Sequence, residues 1–290
     1  MDKELIKIAI LDLYDNEPNH GMRCIKELIE KCDREVAEKS ITYDVFETRY
    51  KNEIPRLNYD IYISSGGPGS PFEGEGKAWE LNYFNLIDKI WNHNQQKTAI
   101  KKYMFFICHS FQMMCRFFKL ATVRERSQRS FGILPVNKTE SANGDFLLRD
   151  LPKTYYAADF RYFEAVEPNV NALKELDAKI LSREAHRIDP ELERAVMAIR
   201  LSQEFVGTQY HPEADPISML YYFQKPEWKK QVVDEHGEEK YDEMISHLEE
   251  PENILLTRKM ILPGFLKDAI RNIARQRSDM ESASAAHQVA

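Results

Sequence analysis

Phe105-Phe106-Ile107-Cys108-His109-Ser110-Phe111-Gln112 sets a cysteine where two periodicities meet. Tyr103 to Ile107 is an apolar run of strand length. Phe111, Met114, Cys115 and Phe118 then follow at i, i+3, i+4 and i+7, the spacing of one helix face. A thiol at a sharp strand-to-helix turn stands clear of both elements. It also faces the free N–H groups of a helix N-terminus, which favour thiolate over thiol. Alone, a strand-end cysteine is more often an inert core residue. Far downstream, Glu204 to Glu213 reads as a strand ending in His211-Pro212-Glu213. Extended backbone puts residues i and i+2 on one side, so Glu213 can lie beside the His211 ring. A carboxylate on one ring nitrogen fixes the tautomer and leaves the other nitrogen as a base toward a thiol. By itself, His-Pro-Glu is more often a surface histidine beside a turn.

A third group precedes both. Tyr59 to Ser64 is a strand, followed by Ser65-Gly66-Gly67-Pro68-Gly69-Ser70-Pro71. Without Cβ atoms, Gly66 and Gly67 can turn their N–H groups toward a developing oxyanion. In isolation the same stretch is an ordinary Gly/Pro turn. A phosphate loop is excluded, because no Gly-x4-Gly-Lys-Ser/Thr spacing occurs there.

The elements that must carry these groups alternate. Leu5 to Leu13 is a near-continuous apolar run, the mark of a strand buried on both faces. Ile25, Leu28, Ile29, Cys32 and Val36 give an amphipathic helix from Gly21 to Lys39. Ile41 to Thr48 alternates as a strand, and Lys77 to Asn92 is helical with Phe84, Ile87 and Trp91 on one stripe. Strand-helix-strand alternation predicts a parallel sheet covered by helices on both faces. Shorter strands are expected at Phe131 to Asn137, Lys153 to Phe160, Phe163 to Val166, Ala178 to Ser182, Ala195 to Leu201 and Phe205 to Tyr210. They suggest an antiparallel extension leading back to the sheet edge that carries His211. All three motifs fall at strand carboxyl ends, where such sheets bind ligands.

Strand-Gly-Gly-Pro-Gly, strand-Cys-x-x-x-Gln-helix and strand-His-Pro-Glu, in that order, resemble the class I glutamine amidotransferases, in particular the glutaminase domain of GMP synthases. The resemblance covers roughly residues 5 to 215. It implies a three-layer, flavodoxin-like, mostly parallel α/β fold. It implies Cys108 as nucleophile, His211 as base and Glu213 as its orienter. Gly66, Gly67 and the backbone N–H of His109 become oxyanion donors, and Gln112 helps to position the substrate. The sequence also departs from the family pattern. The elbow glycines are replaced by Phe106 and Ser110, so their bulk must be met by smaller neighbours or a wider turn. Where the family commonly carries Ser-His-x-Asp against the glutamine amino acid moiety, this chain has Tyr156-Ala157-Ala158-Asp159-Phe160-Arg161-Tyr162-Phe163. Asp159, Arg161 and Tyr162 are then the candidates for holding a substrate carboxylate.

Composition narrows the function classes. The 290 residues are 43% hydrophobic, enough for a sizeable core, and carry a net charge of −7. With a pI near 5.7, that charge argues against a nucleic-acid-binding surface as the main function. Residues 225 to 250 mix Lys, Glu, Asp and His and read as a solvated helical face. No apolar run approaches the ~18 residues of a membrane span. The opening Met1-Asp2-Lys3-Glu4 enters a strand at once, which leaves no room for a secretory leader. Cys24, Cys32, Cys108 and Cys115 fit a reducing cytoplasm. Cys24 and Cys32 lie too far apart along one helix to pair, and Cys32 is read as core. No Cys/His spacing resembles a zinc site, and no cofactor is expected.

Residues 1–215 are thus expected to form the amidotransferase-like domain, and 216–290 a C-terminal helical extension. Within the extension, Ile217 to Phe223 is helical. Leu255 to Arg275 reads as two helices split at Pro263-Gly264, and Ser278 to Ala290 as a frayed tail. The leading expectation is hydrolysis of glutamine or another γ-glutamyl amide, with ammonia passed to a synthetase partner. The chain has no Ser-Gly-Gly-x-Asp-Ser signature for a synthetase of its own. Two alternatives stay open. One is acyl transfer to an amino acid hydroxyl, as in homoserine acyltransferases, which resemble this chain in Ile-Cys and His-Pro-Glu. The other is a non-catalytic, ligand-binding relative.

Overall fold

The computed structural model describes residues 4–36, 39–186 and 193–289. The chain runs β1 (Glu4–Asp12), α1 (Gly21–Glu35), β2 (Lys39–Glu47), α2 (Thr48–Lys51), β3 (Ile61–Ser64), α3 (Ala78–Gln95), β4 (Tyr103–Ile107) and α4 (His109–Phe117). It continues through β5 (Ala121–Lys138), β6 (Thr154–Pro168), α5 (Val170–Glu175), β7 (Lys179–Glu184), β8 (Val196–Arg200) and β9 (Phe205–Thr208). Four helices close it: α6 (Pro216–Phe223), α7 (Pro226–His236), α8 (Glu238–Glu249) and α9 (Glu252–Val289).

The strands form one nine-stranded sheet in the order β2-β1-β3-β4-β9-β8-β7-β5-β6. The first five are mutually parallel. From β9 onward every pairing is antiparallel. β9 therefore ends the parallel block but lies inside the sheet, hydrogen-bonded to β4 on one side and β8 on the other. The sequence-level picture of His211 at a sheet edge is corrected on that point.

Alternation along the parallel strands divides the core into two faces. Ile6, Ile8, Ile10, Ile61, Ile63 and Phe105 pack under α1 and α9. Ala9, Leu11, Tyr62, Met104 and Phe106 pack under α3 and α4. Both faces of the central strands are covered, which is why they read as unbroken apolar runs. A third cluster joins Phe131, Ile133 and Ala158 of the extension to Val232, Tyr241, Met244 and Leu248 of α7 and α8.

Three expectations change. The stretches Lys153 to Phe160 and Phe163 to Val166 are one strand, β6, because Arg161 between them is buried in ion pairs and does not mark a turn. β5 likewise begins ten residues before Phe131 and absorbs its polar segment through a register shift between Glu125 and Ser130. Finally, α9 runs unbroken through Pro263 to Val289, where two helices and a frayed tail were expected. Proline removes the N–H that would bond Lys259 and is costly inside a helix. Ile261, Leu262, Phe265, Leu266, Ala269 and Ile270 are all buried on both sides of it, and that packing outweighs the local penalty. Ala290 lies outside the described residues.

The Phe265 ring stands 5.1 Å from Phe105 and 6.4 Å from Tyr103, directly under the strand that leads to Cys108. Phe265→Ala should cost about 3–5 kcal/mol. Urea unfolding should show a single transition at lower denaturant. A separate early transition, with the rest of the protein unaffected, would mean that α9 is an independent appendage.

Candidate active site

Cys108 sits between β4 and α4 with φ 49° and ψ −100°. A non-glycine residue there is strained, at a cost of order 1–3 kcal/mol that the surroundings must offset. Those surroundings are specific. The Cys108 N–H donates to the Thr208 carbonyl at 2.8 Å, tying the turn to β9. Ser110 Oγ accepts the Ile107 N–H at 2.8 Å and reaches the Ser64 carbonyl at 2.8 Å, tying it to β3. Phe106 pairs in register with Gly207, where an added Cβ would stand 3.1 Å from Phe106 Cβ and 2.9 Å from Phe111. Both departures from the elbow glycines are thereby explained. Phe106 is accommodated by a glycine on the neighbouring strand, and Ser110 is a hydrogen-bonded stitch.

His211 follows β9, its N–H donating to the Ala158 carbonyl of β6 at 2.9 Å. Its Nδ1 is 2.9 Å from Glu213 Oε1, as the i, i+2 spacing anticipates, and Glu213 is 1% exposed. Cys108 also acts electrostatically on the same ring. Burial pushes the His211 pKa down. The negative charges of Cys108 and Glu213, and their hydrogen bonds, outweigh it and hold the pKa well above 6.5. A protonated imidazole beside a thiol is the condition under which thiolates form. The other cysteines are held as neutral thiols. Burial drives Cys115 up strongly and Cys32 up to about 11, while burial and then Glu213 raise Cys24. All four are free.

Gly66 and Gly67 lie against this corner. A Cβ on Gly66 would meet His211 Cε1 at 2.8 Å, and one on Gly67 would meet the Leu13 carbonyl at 2.4 Å, so both positions require glycine. The next residues are clamped from below. Arg49 Nη1 donates to the Pro68 carbonyl at 2.6 Å and Nη2 to Glu73 at 2.9 Å. Arg116 binds the Pro71 carbonyl and Glu80 and lies under the Phe72 ring. His109 opens α4, where its N–H has no intrahelical acceptor. Its side chain is buried, and burial with Arg49 and Arg116 nearby drives its pKa down to about 3.

Other expected site residues are placed differently. Gln112 Nε2 donates to the Phe163 carbonyl at 3.1 Å and to Gln209 Oε1 at 3.2 Å, and Gln209 Nε2 in turn points at Cys108 Sγ, 3.8 Å away. Gln112 thus reaches the thiol through a second amide. Arg161 is fully committed inside the protein, to Asp159 at 2.9 Å and Glu184 at 3.2 Å, with 1% of its side chain exposed. That corrects the reading of Arg161 as a carboxylate-holding group: a guanidinium already neutralised by two buried acids has no fork left to offer. Asp159 and Tyr162 line a cavity of about 760 Å³ on the antiparallel extension that neither Cys108 nor His211 borders. Tyr162 is half exposed beneath the Arg129 guanidinium.

The sequence reading missed several groups at this corner. Gln209 was findable, since it shares the i, i+2 side with His211 and Glu213. Tyr14, just past β1, is partly buried and lies near Glu213 and Cys108. Burial first, then those two charges, keeps its hydroxyl protonated. Arg258 of α9 donates to the Glu213 carbonyl and also to Glu27 of α1 at 3.2 Å. No local pattern announces such a long-range contact. Among the described residues no cluster of metal-ligating side chains occurs, and no helix is long and apolar enough to cross a membrane.

The model of class-I glutamine amidotransferases matches residues 23–220, more than half of the chain. The protein belongs to the class I glutamine amidotransferase family. Solved structures agree in fold. A glutamine amidotransferase from Thermotoga maritima superposes with a TM-score of 0.62 at 18% identity, covering 92% of this chain and 98% of its own. One from Methylobacillus flagellatus gives 0.53 at 13%, covering 89% and 94%. The glutaminase domain of a Trypanosoma brucei CTPS, solved with bound acivicin, gives 0.50 at 13%, covering 72% and 86%. Likeness at these identities speaks for the fold. A search of curated proteins finds no match.

The Phe106–Gly207 pairing can be tested directly. Gly207→Val in this amidotransferase should destabilise it by about 1–3 kcal/mol through overpacking. Adding Phe106→Ala should restore much of that. Denaturation midpoints of the two singles and the double measure the coupling. Purely additive losses would mean that the glycine does not accommodate Phe106.

Proposed function

We propose that this amidotransferase hydrolyses glutamine or another γ-glutamyl amide through a thioester on Cys108, and that its Cys108, His211 and Glu213 act as a triad. The observation that carries the reading is one imidazole that is hydrogen-bonded to a buried carboxylate and coupled to a strained, strand-end thiol. Cys108 thiolate adds to the side-chain carbonyl carbon. Negative charge gathers on the carbonyl oxygen between the N–H groups of Gly67 and His109, with Gly66 shaping the approach. His211 protonates the departing nitrogen, and the C–N bond breaks. It then deprotonates a water that attacks the thioester, and C–S cleavage returns the thiolate and releases the acid. Glu213 holds the His211 tautomer throughout. Gln209, fixed by Gln112, steadies the sulfur.

Residues 23–220 carry the family match, and the helices after residue 215 are read as an extension of that domain. The ammonia or amine released here would be available to a synthetase partner. The free cysteines fit a reducing, cytoplasmic setting.

A glutamine-analogue chloroketone should alkylate Cys108 stoichiometrically, located by peptide mapping; label mainly on Cys24, Cys32 or Cys115 would end the assignment. His211→Ala should lose at least ~10²-fold in turnover with the fold intact, and Glu213→Gln should lose less. Unchanged turnover in His211→Ala would remove the triad.

Arg161 is unavailable and no Ser-His pair replaces it, so free glutamine should be a poor substrate for the isolated chain. A KM well below ~1 mM with kcat near ~10 s⁻¹ on glutamine alone would contradict that.

A further inference from the structure

A leaving nitrogen must lie within hydrogen-bond reach of the imidazole that protonates it. Whatever is bonded to that nitrogen must therefore fit beside His211. For glutamine this is only hydrogen, and the departing ammonia needs a space about the size of one water, ~30 Å³. The structure offers much more. A cavity of about 190 Å³ is bordered by both His211 and Glu213, with Cys108 outside its lining. Its remaining walls are chiefly apolar and aromatic: Tyr14, Phe160, Met219, Tyr222 and Phe223.

The aromatic walls are organised. The Phe160 ring lies 6.5 Å from the His211 ring and stacks with Phe223 at 6.2 Å. Tyr222 stands edge-on to Phe223 at 5.5 Å. The charged groups at the rim are already matched. Asp215 pairs with Arg23 at 3.6 Å and accepts from Ser218, and Arg23 also pairs with Glu27. Of the carboxylates at this cavity, Asp215 is held by Arg23 and Ser218, and Glu213 is buried against His211. A cavity of ~150 Å³ is large enough for benzene, and this one, open to solvent with Asn19, His20, Arg23, Asp215 and Ser218 among its lining, is about 190 Å³.

We infer that the cavity beside His211 receives the amine portion of an N-substituted γ-glutamyl amide, and that this portion is apolar and aromatic, about one ring in size. The inference rests on the hydrolytic reading given above and names its substrate class. The bonds balance as in any amide hydrolysis. Thiolate forms the C–S bond, the C–N bond breaks, and the amine leaves with the His211 proton. Water then cleaves the C–S bond, giving glutamate and restoring thiolate and imidazolium. Met219, Tyr222 and Phe223 sit on α6, which spans the end of the family match at residue 220, and this helix supplies the specificity wall.

Four substrates test it on the full chain: glutamine and the γ-glutamyl methyl-, propyl- and benzylamides, with released amine quantified. The three N-alkyl amides share leaving-group chemistry and differ in size. The benzylamide should exceed the methylamide at least ~10-fold in kcat/KM, mostly through KM, since filling an apolar pocket gives ~10–200-fold per methylene-sized step. Met219→Trp, which fills the cavity, should abolish that advantage while Cys108 alkylation and methylamide turnover persist. If that variant does not fold, Tyr222→Ala widens the same wall and should shift preference toward a naphthylmethylamide. Equal kcat/KM across the series, or a benzylamide advantage indifferent to whichever of these variants folds, overturns the pocket assignment while Cys108 still alkylates. No alkylation and no turnover of any of the four would instead overturn the hydrolytic reading.

Discussion

The structure depends on one conformational constraint, the left-handed backbone at Cys108. A side chain at φ 49° does not hold itself. It is held because β4 is hydrogen-bonded to β3 and β9, and each neighbour grips the turn: Ser64 through Ser110, Thr208 through the Cys108 N–H. The order of the parallel block follows from the same need. His211 must follow a strand adjacent to β4, and the glycine loop must follow the strand on its other side. β3-β4-β9 is the arrangement that brings all three strand ends together. The large buried area of the two core faces then opposes the local strain.

The sequence was most legible where one residue type at one spacing has one physical consequence. The switch from strand to helical period at Cys108 fixed the turn. The i, i+2 rule placed Glu213 on His211. Continuous apolar runs marked the central strands. Legibility failed where polar residues are buried or contacts span the chain. In the sequence Arg161 falls between two strands and stands as a candidate for holding a substrate carboxylate, yet it closes a buried cluster with Asp159 and Glu184. Pro263 reads as a helix end, yet tertiary packing carries α9 through it. Burial of a charge is decided by partners that no local window contains.

The same limit explains Arg258. From α9 it binds the Glu213 backbone and Glu27 of α1, joining the last helix, the first helix and the residue that bonds His211. The segment after residue 215 therefore packs directly against the Cys108–His211 corner. One Glu213 oxygen accepts from His211, and the other is buried without a hydrogen-bond partner. An anion so placed costs energy unless a positive charge lies close by. His211, with its pKa raised well above 6.5, supplies it. The Cys108–His211–Glu213 group is best viewed as one coupled unit and not as three independent side chains.

Charge balance also accounts for the altered pocket. In the antiparallel extension, Arg126, Arg161, Asp159, Glu164 and Glu184 neutralise one another inside the protein. A side chain used that way stiffens β6, the strand that hydrogen-bonds His211 through Ala158, and is withdrawn from any ligand. Rigidity beside the base and recognition of a ligand's carboxylate compete for the same guanidinium. Here the internal partners have won, because two fixed carboxylates at hydrogen-bond distance outweigh one that must first be desolvated and ordered. The shape this corner presents beside His211 is a set of aromatic faces.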